Sequence, residues 1–129
     1  MLIKHFVLTA VAVTLSVPAF AAGDLKGEIV NAIEHAEYSA AATDIQTAHM
    51  HLHHALNCIV GPSGNGFDAT QMNPCAHSGD GIIPDSADAK SKATLESAAA
   101  KAREGLATND LHAAQADATA VATTLKSLK

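Results

Sequence analysis

Apolar residues recur along this chain at intervals of three and four, the period of a helix with one buried face. Leu25, Ile29, Ile33, Ala36 and Ala40 share one side of a segment from about 25 to 42. A second segment, from Asp44 to about Ile59, aligns Ile45, Ala48, Leu52, Ala55 and Ile59. The third, from Ala87 to about Gly105, aligns Leu95, Ala99, Ala102 and Leu106. The fourth is the most regular, with Leu111, Ala114, Ala118, Val121, Leu125 and Leu128.

The punctuation fits four helices. Thr43 and Gln46 have the spacing of a capping box, in which side chains satisfy the free N–H groups at a helix start. Asp85 or Ser86 is placed to cap the third helix, Gly105 to end it in a left-handed C-cap, and Asn109 to open the fourth. The short connections at Thr43 and at Thr108-Asn109 predict two helical hairpins. A shift of 66 positions lays Ala36 on Ala102, Asp44 on Asp110, Ile45 on Leu111 and Ala48 on Ala114. The fold expected is therefore all-α, an antiparallel four-helix bundle made of two related αα-hairpins. The first hairpin covers about 24–59 and the second about 85–128. The stretch between them, 60–84, is rich in Gly, Pro, Asn, Asp and Ser and reads as an ordered loop.

Residues 1–21 have a different character. A lysine at position 4 precedes an apolar run from Phe6 to Val17, then Pro18 and the small-residue site Ala19-Phe20-Ala21. That is the layout of a secretory signal, and the apolar run is shorter than the ~20 residues a membrane span needs. The expectation is an exported chain, periplasmic or secreted, whose single domain is 22–129. Removing Lys4 takes the net charge from −5 to −6. An acidic surface without a basic stripe argues against nucleic acid as a partner. In an exported chain, Cys58 and Cys75 have one internal pairing, a disulfide closing the loop onto the second segment. In the chain-entropy picture a loop of this length is worth roughly 3 kcal/mol.

The chemistry concentrates in His49-Met50-His51-Leu52-His53-His54. Imidazole is the usual ligand for zinc, copper and nickel, and a thioether suits Cu(I). At ~100° per residue the group splits around Leu52: His49 and His53 form an i, i+4 pair on one flank, and His51 and His54 occupy the other. Met50 points outward. His35 belongs with them, because in a hairpin turning near Thr43 it lies level with His51; periodicity leaves open which flank it approaches. Glu34 and Glu37 are nearby carboxylates, while Met72 and His77 are soft donors in the loop. His112, alone in the second hairpin, reads as a solvated or hydrogen-bonded residue.

Ala32-Ile33-Glu34-His35-Ala36-Glu37, then Thr43-Asp44, then His49 through Ala55, is similar to the hairpin repeat of the periplasmic small metal-binding proteins. The resemblance implies a His-rich helical bundle that holds copper and other divalent metals. Two departures stand out: the second hairpin has lost nearly all its histidines, and that family lacks the crosslinked loop. The resemblance therefore implies a metal capacity confined to the first hairpin. Together the readings point to a non-enzymatic copper buffer or carrier, with nickel or zinc as other metals. The alternatives are a bundle holding non-covalent haem and a helical interaction domain without metal. No Cys-x-x-Cys-His is present for covalent haem, and the scarcity of aromatic residues argues against a haem pocket.

Overall fold

The computed structural model describes residues 23–129, so the expected leader and its cleavage site lie outside the described residues. The described residues form five helices: α1 Leu25–Ala40, α2 Ile45–Val60, α3 Ile82–Asp85, α4 Ala89–Ala107 and α5 Leu111–Lys126. The described residues contain no strand. Each long helix begins at an aspartate whose carboxylate accepts an N–H from the first turn: Asp24 from Gly27, Asp44 from Thr47, Asp88 from Ser91 and Asp110 from Ala113.

Those caps correct the sequence reading at three starts. Asp44, not Thr43, caps α2, because its carboxylate takes both the N–H and the hydroxyl of Thr47 at 2.8 Å. A charged acceptor makes the stronger bond to a helix N–H than a hydroxyl does. Asp88 rather than Asp85 or Ser86 opens α4, since Pro84 and Asp85 are taken up by the extra turn α3. Asp110 rather than Asn109 opens α5. Gly105 is not a left-handed cap either. It lies inside α4, buried, where an added Cβ would come within 2.6 Å of Leu52 Cδ2. A glycine is used there for close helix approach, and α4 runs on to Ala107.

α1 packs against α2 and α5, and α4 packs against α5 and α2. The shared core is thin. Leu52, Leu56, Ile59, Leu95, Val121 and Leu125 supply its bulk, with alanines such as Ala36, Ala55, Ala102 and Ala118 wholly buried between them. Burying such side chains is the main favourable term in folding, about 25 cal/mol per Å² of apolar surface. Alanine in the seams lets neighbouring helices approach closely enough to carry polar side chains across them.

The 61–81 loop is fixed at several points. Cys58 and Cys75 are joined by a disulfide, with Cα atoms 5.2 Å apart. Asn57, wholly buried, accepts the Asp68 N–H and donates to the carbonyls of Asp68 and Met72. The loop's two ends cross at Gly61 and Gly81, both at positive φ, where a side chain would meet the opposing backbone. Backbone polar groups of an irregular segment need such partners to be held at all. No helix among the described residues is long and apolar enough to cross a membrane.

Candidate metal centre

The turn Ala41–Asp44 folds α2 back along α1, and Ser39 donates its hydroxyl to the Ala48 carbonyl at 2.7 Å across the seam. Moving outward from that bond by one helical turn on each side brings His35 and His51 together. Their Nδ1 atoms are 3.3 Å apart. His54, one turn further along α2, stands edge-on to His35 with ring centres 5.0 Å apart. One nitrogen from each of His35, His51 and His54 falls within 4.8 Å of the other two. A tetrahedral metal with bonds of ~2.0–2.1 Å has ligand nitrogens about 3.3–3.4 Å apart. The His35–His51 pair already has that spacing, and His54 offers the third nitrogen within 4.8 Å of both.

Burial prepares these rings for a metal. His54 is 6% exposed and its Nδ1 has no hydrogen-bond partner within the protein. Burial, and then the neighbouring His35, His51 and His53, push its pKa down to about 4. Burial also lowers His35, with His51 adding to the effect and Glu34 opposing it. A neutral imidazole is the form that ligates, so protons compete less at these positions than at a free histidine. Beside the group, Tyr38 donates to Glu34, and its ring stands 5.3 Å from that of His51.

The other expected ligands lie elsewhere. His49 is on the opposite flank of α2, and its Nε2 is bonded to the Thr108 carbonyl at 2.9 Å, in the connection between α4 and α5. His53, half-buried on that same flank, has an unpartnered Nδ1 and a pKa lowered by burial. Neither belongs to the three-histidine group. Met50 is 41% exposed, one helical turn before His54. His112 is exposed and bonded to Gln115. His77 and Met72 are exposed in the loop. Periodicity placed His35 level with His51, but the choice of flank came only from the packing of α1 on α2.

Sequence reading also missed a set of carboxylates. Asp24, Glu28, Asp80 and Asp85 are scattered in the chain, yet their charges meet around the first turn of α1. Glu28 lies in the first expected helix and Asp24 just before it; the loop end and the turn α3 bring Asp80 and Asp85.

Comparison with known proteins finds no matching protein-family model, no similar curated protein and no similar solved structure. The chemistry of the site therefore rests on the side chains themselves. Three histidine nitrogens converging at the seam of two helices can hold a metal ion.

Proposed function

We propose that this chain is a periplasmic or secreted metal-binding protein that buffers or carries copper at His35, His51 and His54. The observation that carries the reading is the convergence of three imidazole nitrogens within 4.8 Å of one another. Nitrogen donors suit copper, zinc and nickel alike. Copper leads because Met50, one turn from His54, offers a thioether that favours Cu(I). The disulfide supports the exported setting, since such bonds persist in oxidising compartments. Within this reading the protein is an antiparallel four-helix bundle and one domain, related to the periplasmic small metal-binding proteins. It works by holding an ion and not by turning over a substrate.

Titration of Cu(II), Cu(I), Zn(II) and Ni(II) into metal-free protein tests it. Wild type should take up about one ion per chain with copper bound tightest. His35→Ala, His51→Ala and His54→Ala should each weaken binding at least tenfold, a loss of about 1.4 kcal/mol or more. Replacing His49 and His53 together should leave the high-affinity step in place, as should His112→Ala. A wild type that binds none of these metals ends the proposal. So does a titration that is unchanged when all three of His35, His51 and His54 are replaced.

A further inference from the structure

Glu28 lies in the first turn of α1 and is wholly buried. Its Oε1 accepts the Gly81 N–H at 3.0 Å, tying the end of the loop to the helix. Its Oε2 has no hydrogen-bond partner within the protein. The surroundings are hostile to a lone carboxylate. Burial raises its pKa to about 7; the Gly81 bond opposes that, and the charges of Asp85, Asp80 and Asp24 add to it. The Asp85 carboxylate, which accepts the Asp80 N–H at 3.1 Å, turns toward the same place. A side chain at Gly79 would collide with both the Asp85 carboxylate and Glu28 Oε1, and one at Gly23 would collide with Asp85. Two glycines thus leave room in which two carboxylates converge.

Neither protonation state completes Oε2. Ionised, it is a buried acceptor with no donor; neutral, its O–H is a donor with no acceptor. Leaving such a group unmatched is costly, and three more carboxylates nearby increase the cost of charge. A cation resolves both problems together. It coordinates Oε2 and offsets the surrounding negative charge.

We propose that Glu28 and Asp85 are the protein's two carboxylate ligands in a second metal site that takes a hard divalent cation, calcium above all, with Asp80 and Asp24 adding negative charge from the surface. The donors are oxygens only, the set that calcium prefers, whereas the His35 group offers nitrogens to softer metals. Bound there, the ion clasps the loop end at Gly79–Gly81 and the turn α3 onto α1. The site stands apart from the histidine cluster, so either proposal survives the failure of the other.

Thermal unfolding of chelator-treated full-length protein at pH 7.5, with and without calcium, tests the clasp. Weak calcium modules bind with dissociation constants of about 0.1–1 mM. At about 5 mM calcium the midpoint should therefore rise by roughly 5 °C. Glu28→Gln and Asp85→Asn should each abolish the rise, and His35→Ala should preserve it. Equilibrium dialysis of wild type against radioactive calcium should find about one ion per chain. Should Glu28→Gln fail to fold, Asp85→Asn and the dialysis of wild type decide the matter. An unshifted wild-type midpoint, with no calcium retained on dialysis, overturns the proposal and leaves Glu28 as a buried, protonated acid.

Discussion

The two hairpins of this protein share a frame and differ in what they place at one spot. Adding 66 to a residue number in α1–α2 gives its counterpart in α4–α5. Asp44 and Asp110 cap in the same way, and α2 and α5 each run for sixteen residues from the next position. Ile29 and Leu95, Ala36 and Ala102, and Ile59 and Leu125 are buried in both copies. At the seam the chemistry diverges. His35, Tyr38, His51 and His54 correspond to Lys101, Glu104, Asp117 and Ala120. Lys101 there pairs with Glu104 and with Asp117, the latter at 3.7 Å. The frame thus asks only for mutually compatible polar groups at this place, and an ion pair on a well-exposed lysine meets that need. Such pairs contribute about 0–1 kcal/mol. Three histidines exceed what the fold requires, which is why they are read as a site.

The largest effect expected from this comparison is a transplant. Lys101→His, Asp117→His and Ala120→His, made together, should give the second hairpin its own three-imidazole face. Copper or zinc uptake should rise from about one ion per chain to about two. The added ion should persist when His35, His51 and His54 are replaced. If uptake does not rise, the two seams match in sequence position but not in side-chain geometry.

The four long helices and the hairpin pairing were legible because burial imposes a three- and four-residue rhythm that alanine-rich seams keep without interruption, whereas the short α3 is too brief to show one. The starts were less so. Thr43, Asp44, Asp85, Ser86, Asp88, Asn109 and Asp110 are all competent caps, and the choice depends on which carboxylate meets a first-turn N–H. Gly105 resembled a helix stop because glycine serves both ends and close contacts. Within the histidine run, spacing divided His49 and His53 from His51 and His54, but it could not say which pair faced α1. The carboxylates around Glu28 were illegible for a different reason. They meet through the path of the loop, which has no period to read.

A second, smaller difference between the hairpins is their response to acid. An unfolded imidazole titrates near pH 6.5. His54 in the folded chain is held down to about 4, chiefly by burial. As pH falls from 6.5 toward 4 the unfolded chain takes up this proton first, so stability present above 6.5 is lost across that window. His35 and His53 act in the same direction. Glu28, raised to about 7 by burial, acts in the opposite one over much of the same range. The useful measurement is therefore a difference, denaturant unfolding of metal-free wild type against His54→Ala. That variant copies Ala120 of the second hairpin and should be spared up to about 3 kcal/mol of acid-dependent loss. Parallel pH profiles for the two proteins would mean that His54 is not held neutral by its surroundings.

The smallest effect tests whether His49 is a structural residue. Its counterpart is Gln115, and the counterpart of Ala42 is Thr108. His49 Nε2 bonds to the Thr108 carbonyl at 2.9 Å, and Gln115 Nε2 donates to the Ala42 carbonyl at 2.8 Å. Each hairpin thus reaches into the turn of the other with a side-chain N–H, and the exchange is reciprocal. A carbonyl only accepts, so His49 carries its proton on Nε2 and uses it as glutamine uses its amide. His49→Gln should keep the bond and change stability by less than about 0.5 kcal/mol, whereas His49→Ala and Gln115→Ala should each cost about 0.5–1.5 kcal/mol. None of the three should alter metal affinity, because this flank faces away from His35. Urea midpoints and a copper titration on each variant give both readouts. A glutamine that costs as much as alanine would remove the reciprocal role. A His49→Ala protein that loses copper would return His49 to the ligand set.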